Sequence, residues 1–209
     1  MWLRKPFKYT YFHASLFLII INVLFYVALQ FRPILYSYMA LNDHNVIYAH
    51  AYWQFISYMF CHGSLSHLFF NMLALAFFGI PVEKTIGSKE FLLLYFVCGI
   101  LSGFFSFLVY LIPVFGMKVF LAGASGSIYS ILFAYAVCYP RSTIYIWGII
   151  PVPAPILVLI YAIIAIVDEV IFVSNVANIT HLFGLLTAWL YFLVRMGIHP
   201  LKIWKRNYR

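Results

Sequence analysis

Three separated stretches of the sequence carry the side-chain types that a serine hydrolase needs. Ser125 lies in the segment 123–126, which reads Gly-Ala-Ser-Gly, and supplies a hydroxyl that could act as a nucleophile. His181 supplies an imidazole that could act as a general base, and His67 with Asn71 supplies donors for an oxyanion. Together these residue types predict attack by an activated serine, provided that the fold brings the three stretches to one place.

Each of these residues also has an ordinary structural explanation. A serine or histidine in an apolar helix is more often a packing or hydrogen-bonding residue than a catalytic one. His67 and Asn71 are four residues apart, so they share a helix face and could simply bond to another helix. Gly184 and Ala188 lie on the His181 face, and such a small-residue stripe permits close helix packing. The combination therefore carries the prediction, and no single residue does.

The composition predicts that membrane-spanning helices hold these residues. Of the 209 residues, 66% are hydrophobic and 9% are charged, and the mean hydropathy is +0.99. Soluble domains have about 45–50% apolar and about 25% charged residues. A water-soluble fold would expose much of this apolar surface. The chain is therefore predicted to be an all-α polytopic membrane protein with a single domain over residues 1–209.

Six apolar runs could cross the bilayer, since about 30 Å of hydrocarbon takes about 20 residues of helix. They are approximately 14–31, 66–83, 90–111, 124–140, 152–173 and 180–197. The first run is too long for a signal-peptide core and lacks a small-residue cleavage site, so we expect it to be retained.

The formal net charge of +8 is distributed as topology signals are, and not as a nucleic-acid-binding patch. Lys and Arg cluster at both ends of the chain and after the second and fourth runs. Cytoplasmic loops carry the excess of positive residues, so both termini are predicted in the cytoplasm, which requires an even number of spans. We expect a multi-pass protein of the cell (inner) membrane, surrounded by the lipid bilayer and not bound to nucleic acid.

This topology places the candidate residues at one depth. The second, fourth and sixth runs all cross from outside to inside. His67, Asn71, Ser125 and His181 lie near the starts of these runs, so they are predicted near the outer side of the membrane. The aromatic-rich gap 32–65 is expected to rest in the outer interface, where aromatic rings prefer to lie.

Two of these stretches resemble motifs of the rhomboid family of intramembrane serine proteases. Residues 123–126 resemble the family's GxSG signature, and Tyr129 follows one turn later on the serine face. Residues 181–188 resemble its HxxGxxxG motif, with Ala188 in place of the last glycine.

Two further stretches carry the same resemblance, in the family's order and spacing. Residues 62–71 resemble its His-x4-His-x3-Asn stretch, and 79–87 resembles the glycine-flanked acidic turn after the second span. The family commonly has Trp-Arg in the loop after the first span, where this chain has Trp53 and Gln54. Glutamine keeps the capacity to hydrogen-bond but carries no charge.

The resemblance implies a six-transmembrane-helix rhomboid bundle with serine endopeptidase activity. Its substrates would be transmembrane proteins, cut in or near their membrane segments, with no metal or organic cofactor. Ser125 would be the nucleophile and His181 the base of a dyad. The oxyanion and support residues would be His67, Asn71, Tyr129 and Gly123, and the structural residues would be His62, Trp53, Glu83 and Gly184. Substrate entry would be sideways between the second and fifth spans, near Phe70.

Several alternatives stay open. A catalytically inactive rhomboid-like protein that binds membrane clients would share the fold. A transporter or channel could use polar groups at membrane depth. Zinc could in principle bind His62, His67 and His181, although Ser125 would then be unexplained. Asp168 and Glu169 could complete a triad with His181, although interface solvation or contact with the following loop is the simpler expectation.

Overall fold

The computed structural model describes residues 5–112, 120–146, 148–171 and 177–207. Most of these residues are helical. The helices are α1 (Ala14–Phe31), α2 (Ile34–Met39), α3 (Asp43–Tyr48), α4 (Gln54–Ser57), α5 (Leu65–Ala74), α6 (Ile80–Ile86), α7 (Ser88–Tyr110), α8 (Ser125–Cys138), α9 (Ala154–Ile171), α10 (Asn178–Val194) and α11 (Pro200–Asn207).

Two pairs of short antiparallel strands lie in the connections. β1 (Leu41–Asn42) pairs with β2 (Phe120–Leu121), and β3 (Thr143–Ile146) forms a hairpin with β4 (Ile150–Pro153). The first pair joins the segment after α1 to the residues just before α8. It therefore ties the long first connection to the start of the helix that carries Ser125.

A π-helical segment, Leu75–Gly79, joins α5 to α6, so one continuous helix runs from Leu65 to Ile86. A π-helical turn holds more residues than an α-helical turn and shifts the faces on either side of it. Before the segment the helix presents His67 and Asn71 to the Ser125 side of the bundle. After it, Glu83 faces the start of α1.

Among the described residues, four helices are long and apolar enough to cross a membrane: α1, the continuous helix Leu65–Ile86, α7 and α9. α8 and α10 are shorter, with 14 and 17 residues. At 1.5 Å per residue α8 reaches about 21 Å, and most of its side chains are buried inside the bundle. The predicted helical, polytopic membrane fold is confirmed, while the count of six spans stays a prediction.

The helix bounds differ from the predicted runs for local backbone reasons. The first run, 14–31, coincides with α1. The second was predicted to end at residue 83 but continues to Ile86, where Gly87 at φ 83° ends it. The third, predicted as 90–111, is Ser88–Tyr110.

The last three runs also differ from the helices at one or both ends. Run 124–140 is Ser125–Cys138, just before Pro140, and run 180–197 is Asn178–Val194, before Gly197 at φ 66°. In run 152–173, Val152 belongs to β4, because the alternation of prolines at 151 and 153 suits an edge strand and not a helix. The helix begins at Ala154, and residues 172 and 173 lie outside the described residues.

The helices alternate in direction, so the chain enters and leaves the bundle at the same end. The start of α1 bonds to Glu83 near the end of α6, through Ala14 N–H at 2.6 Å. α11 bonds to the last turn of α8, through Trp204 Nε1 and the Ala136 carbonyl at 2.9 Å. Both contacts lie at the end opposite Ser125, which is the first residue of α8. Which compartment that end faces stays a prediction.

Glu83 holds the start of α1 in place. Its side chain is fully buried and accepts hydrogen bonds from the Ala14 and Ser15 amides and from the Ser15 hydroxyl, at 2.6 to 2.9 Å. The Ser88 hydroxyl also donates to it. A carboxylate at a helix N-terminus satisfies orphan amides and interacts favourably with the helix dipole. The structure therefore gives Glu83 a role in joining α1, α6 and α7.

Candidate active site

Ser125 is the first residue of α8, and the backbone before it requires a glycine. Gly123 has φ 124°, a conformation that other residues rarely adopt, and its amide donates to the Tyr58 carbonyl at 2.9 Å. Ala124 precedes the helix as its N-cap residue and is fully buried. The turn therefore sets Ser125 at a helix N-terminus, where backbone N–H groups lack intrahelical partners.

His181 lies in the first turn of α10, and its Nε2 is 2.9 Å from the Ser125 Oγ. This distance is within hydrogen-bond range. The two residues are 56 positions apart in sequence, and the contact between α8 and α10 brings them together. A hydroxyl and an imidazole at this separation can exchange a proton.

Small residues allow α8 and α10 to approach so closely. A Cβ placed on Gly184 would collide with the Gly126 carbonyl and would lie 3.1 Å from the Tyr129 Cβ. The Ser130 hydroxyl donates to the Gly184 carbonyl at 2.8 Å, which bridges the two helices. Gly184 therefore sets the separation of the helices that carry Ser125 and His181.

The ring of Tyr129 stacks on the ring of His181. Their centroids are 4.2 Å apart and their planes are inclined by 4°. The Tyr161 ring of α9 packs edge-on against Tyr129, with a centroid distance of 5.8 Å. The Tyr129 ring, which is itself held by Tyr161, thus restricts the orientation of the imidazole.

His67 and Asn71 lie beside the backbone that precedes Ser125. A Cβ on Gly123 would be 2.8 Å from the His67 Nε2 and 3.9 Å from the Asn71 Nδ2. Only a glycine therefore leaves room for these side chains. Asn71 donates to the His67 carbonyl at 3.0 Å, and the Ser64 hydroxyl caps the helix by accepting from the His67 amide at 3.1 Å. Two side chains with N–H donors thus face the Ser125 end of α8.

His62 lies behind His67, outside the membrane-spanning helices. It is 2% exposed, and the two rings are 5.1 Å apart in an edge-on arrangement. Burial lowers the pKa of His62 to about 4, and the nearby His67 acts in the same direction. The uncharged form of His62 therefore supports the His67 ring at neutral pH.

A cavity of about 540 Å³ opens at these side chains. Its polar wall holds Ser125, His181, His67 and Asn71. Its apolar wall consists of side chains from α5, the π-helical segment, α8 and α9, including Ala74, Phe78, Ile128, Leu132 and Tyr161. At its rim, Phe70 of α5 is 66% exposed. The cavity is large enough for several side chains of a peptide and is mostly apolar, as binding pockets usually are.

Gln54 anchors the segment between α1 and α5 without a charge. It is fully buried. Its carbonyl oxygen accepts from the Asn42 amide at 3.0 Å, and its nitrogen donates to the Tyr38 carbonyl at 2.9 Å. Trp53 Nε1 donates to the same Tyr38 carbonyl at 3.2 Å, and its ring packs on the Tyr38 ring. The amide of Gln54 thus satisfies neutral backbone partners, which need no guanidinium.

Asp168 and Glu169 make contacts other than with His181. Asp168 Oδ2 accepts from Asn178 Nδ2 at 3.0 Å, and the Tyr110 hydroxyl lies 3.5 Å from Glu169 Oε2. Within the described residues, no hydrogen bond links either carboxylate to His181. The two acids join the end of α9 to the start of α10 and to α7, which agrees with the simpler of the two expectations.

The structure brings Ser125, His181, His67 and Asn71 to one cavity, an arrangement that their predicted common depth permits. Tyr161, which was not among the residues predicted from the sequence, lies in the cavity wall against Tyr129. A signal for it existed, because Tyr161 has the only polar side chain in α9 before Asp168. A polar side chain in a membrane helix is costly, so its presence often indicates a functional or structural role.

Comparisons with known proteins agree with these motifs. A sequence model described as the Rhomboid domain matches residues 49–197. The chain is 30% identical over 150 residues to RHOMBOID-like protein 2 of Arabidopsis thaliana, covering 72% of this chain and 44% of that protein. It is 34% identical over 91 residues to Rhomboid protease GluP of Bacillus subtilis (strain 168), covering 44% and 17%. It is 40% identical over 52 residues to Rhomboid protease GlpG of Klebsiella pneumoniae (strain 342), covering 25% and 19%.

These alignments span less than half the length of the curated relatives. The family model, in contrast, covers well over half of this chain and includes every candidate site residue. With its apolar helices, this chain is a multi-pass membrane protein that belongs to the rhomboid family.

Proposed function

We propose that this protein is an intramembrane serine endopeptidase that hydrolyses peptide bonds in or near the transmembrane segments of other membrane proteins. The observation that carries the proposal is the 2.9 Å separation of Ser125 Oγ and His181 Nε2 at the wall of a mostly apolar cavity. The relatives GluP and GlpG, which are named rhomboid proteases, support the same reaction class.

The pair would work as a dyad. As the Ser125 oxygen attacks a substrate carbonyl, His181 takes the hydroxyl proton through Nε2 and then gives it to the leaving amine. A water molecule, deprotonated by the same imidazole, then hydrolyses the acyl-enzyme ester. The stacked Tyr129 ring holds the imidazole in the required orientation. Asp168 bonds to Asn178, so the mechanism uses no carboxylate behind the base.

Three N–H groups would stabilise the tetrahedral intermediate. The Ser125 amide lies at the N-terminus of α8, and the His67 ring and the Asn71 amide face the same stretch of backbone. Donors placed where negative charge develops are worth more in a water-poor site. Loss of one such donor typically lowers turnover by about 10²–10³-fold.

The shape of the cavity supports a membrane-segment substrate. A helix hides its peptide bonds, so a substrate must unwind locally before Ser125 can reach a carbonyl. The mostly apolar lining suits the side chains of such a segment. Phe70 and Tyr161, on α5 and α9, are partly exposed at the cavity. We propose that substrates enter between these two helices.

Labelling with a fluorophosphonate probe tests the activated serine directly. The purified chain in detergent should be labelled covalently, and Ser125→Ala and His181→Ala should each abolish labelling. Ser127→Ala is the matched control, because Ser127 lies on the same helix but donates to the Tyr95 carbonyl of α7 at 2.9 Å. This control should keep its labelling. A transmembrane substrate peptide then tests cleavage with the same four proteins.

The outcomes separate the two candidate functions. Labelling lost in both active-site variants establishes an activated serine, and peptide cleavage with the same dependence establishes the protease. A folded wild type that is unlabelled both in detergent and in lipid would contradict the proposal and favour a client-binding protein.

A further inference from the structure

Among the described residues, the exposed charged side chains at the end of the bundle opposite Ser125 are all basic. Its exposed cations include Lys84, Lys89, Arg141, Lys202, Lys205 and Arg206, and none of them forms an ion pair with a described residue. The acids at this end, Glu83 and Glu90, are buried and hydrogen-bonded within the protein. The positive charge of this end is therefore not neutralised by described acidic side chains.

The remaining acidic residues lie at the other end. Asp43 precedes α5 in the segment tied to the start of α8, and Asp168 and Glu169 lie at the end of α9 beside the start of α10. The charge distribution of the described residues is thus strongly one-sided. A one-sided field of this kind attracts anions to one end of the molecule.

The cations at this end come from α6, α7, the turn after α8 and α11, which meet around the end of α8. The Tyr139 hydroxyl, two residues before Arg141, lies 2.7 Å from the Thr85 hydroxyl, next to Lys84. Trp204 of α11 donates to the Ala136 carbonyl, and its ring packs 5.3 Å from the Phe133 ring. Hydrogen bonds and packing therefore hold these elements together at one end of the bundle.

α11 has the features of an amphipathic helix that lies at the membrane–water interface. Gly197, at φ 66°, and a hydrogen bond from the Ile198 amide to the Phe192 carbonyl turn the chain out of α10. Lys202, Lys205 and Arg206 have the i, i+3, i+4 spacing of one helix face. Trp204 lies on the opposite face and is 8% exposed, while Leu201, at the flank, is 60% exposed. A cationic face with an apolar flank is typical of helices that lie in the headgroup region.

We propose that this basic surface, defined by Lys84, Lys89, Arg141, Lys202, Lys205 and Arg206, binds the anionic headgroups of phospholipids. A multi-pass protein has headgroups at both ends of its bundle, so the partner is already in place. Ammonium and guanidinium groups bind phosphate through charge-assisted hydrogen bonds. The inference depends on the membrane fold and not on the protease activity.

Thermal unfolding in an uncharged detergent tests the proposal. The purified chain is titrated with phosphatidylglycerol or with phosphatidylcholine of the same acyl chains, and the Tm is measured. Phosphatidylglycerol should raise the Tm by on the order of 5 °C more than phosphatidylcholine does. The excess should shrink in about 0.5 M salt, because salt screens exposed charges.

Charge-neutralising variants identify the surface. The triple variant Lys202→Gln, Lys205→Gln, Arg206→Gln should lose more than half of the phosphatidylglycerol excess. Lys84→Gln with Lys89→Gln provides a second variant, on α6 and α7, in case the first unfolds. Arg32→Gln, at the other end of α1, is the matched control and should keep the full excess. The phosphatidylglycerol retained per protein, measured by mass spectrometry, should fall in parallel.

Three results would overturn the inference. An equal rise in Tm with both lipids would show that the acyl chains, and not the headgroups, stabilise the protein. A full phosphatidylglycerol effect in both variants would place the lipid elsewhere. An equal rise with inorganic phosphate alone would show a small-anion site and not a lipid surface. Since the measurements are Tm and bound lipid, they do not depend on whether the protein cleaves anything.

Discussion

Replacing Gly184 with alanine should separate activity from folding, because this glycine sets the distance between α8 and α10. The added Cβ would collide with the Gly126 carbonyl and press on the Tyr129 Cβ. Carbon atoms in van der Waals contact stay about 3.5–4.0 Å apart, so the helices must separate by on the order of 1 Å. His181 is three residues before Gly184 on the same face and would move with it.

The expected loss of activity follows from that displacement. The Ser125–His181 distance of 2.9 Å would rise to roughly 3.9 Å, beyond hydrogen-bond range. A misplacement of about 1 Å typically costs about 10²-fold in rate. Overpacking a well-packed contact costs about 1–3 kcal/mol of stability, so much of the protein should remain folded.

The assay compares kcat on a transmembrane peptide with the Tm of the same preparation. Ala188→Gly is the matched control. It changes the same face of α10 and costs about 1 kcal/mol of helix propensity, but it adds no atom that pushes the helices apart. We expect the kcat of Gly184→Ala to fall about 10²-fold. Ala188→Gly should keep most of the wild-type kcat. A folded Gly184→Ala protein with wild-type kcat would refute the reasoning.

Three further predictions concern residues around the site. Gln54→Ala should lower stability by about 1–3 kcal/mol, because it leaves the Asn42 amide without its acceptor and removes one of the two donors to the Tyr38 carbonyl; denaturant or thermal unfolding measures this, and an unchanged Tm would contradict it. Asp168→Asn should keep most of the peptidase activity, whereas the same change in a catalytic triad costs about 10⁴-fold; a loss of that size would restore the triad hypothesis. Burial lowers the pKa of His62 to about 4 from the ordinary 6.5, so the folded protein disfavours protonation of this ring. The contribution of the neutral ring to stability is complete above pH 6.5. It is lost as the pH falls towards 4, by up to roughly 3 kcal/mol. The Tm of the wild type minus the Tm of His62→Gln should therefore fall as the pH is lowered from 6.5 to 4. A difference that does not change with pH would contradict this prediction.

The predictable part of the structure came from patterns with a direct physical cause. The bounds of α1 agree with the first apolar run, which Arg32 and Pro33 terminate. The meeting of His67, Ser125 and His181 at one cavity is consistent with the prediction that their three runs cross in the same direction, since equal depth restricts which residues can touch. The position of each residue within its run predicts its depth in the membrane, but the sequence does not predict which helix faces point towards one another.

Other features depended on backbone partners that have no signature in the sequence. The π-helical segment differs from α-helix only in which carbonyls the amides select, and its residues, Leu75–Gly79, are ordinary apolar ones. The anchoring by Gln54 uses the Asn42 amide and the Tyr38 carbonyl, and every residue but proline offers such groups. α8 is shorter than its predicted run because protein, and not lipid, surrounds most of it.

The π-helical segment also determines which changes the second span can accept. Each residue of an α-helix turns the chain by about 100°, so inserting one α-helical residue beside Leu75–Gly79 would rotate one half of the helix by that angle against the other. Either His67 and Asn71 would leave the cavity, or Glu83 would leave the start of α1. Exchanges among apolar residues keep the angular offset, whereas such an insertion destroys it. The span is therefore expected to accept exchanges of apolar residues in this segment but not an additional residue.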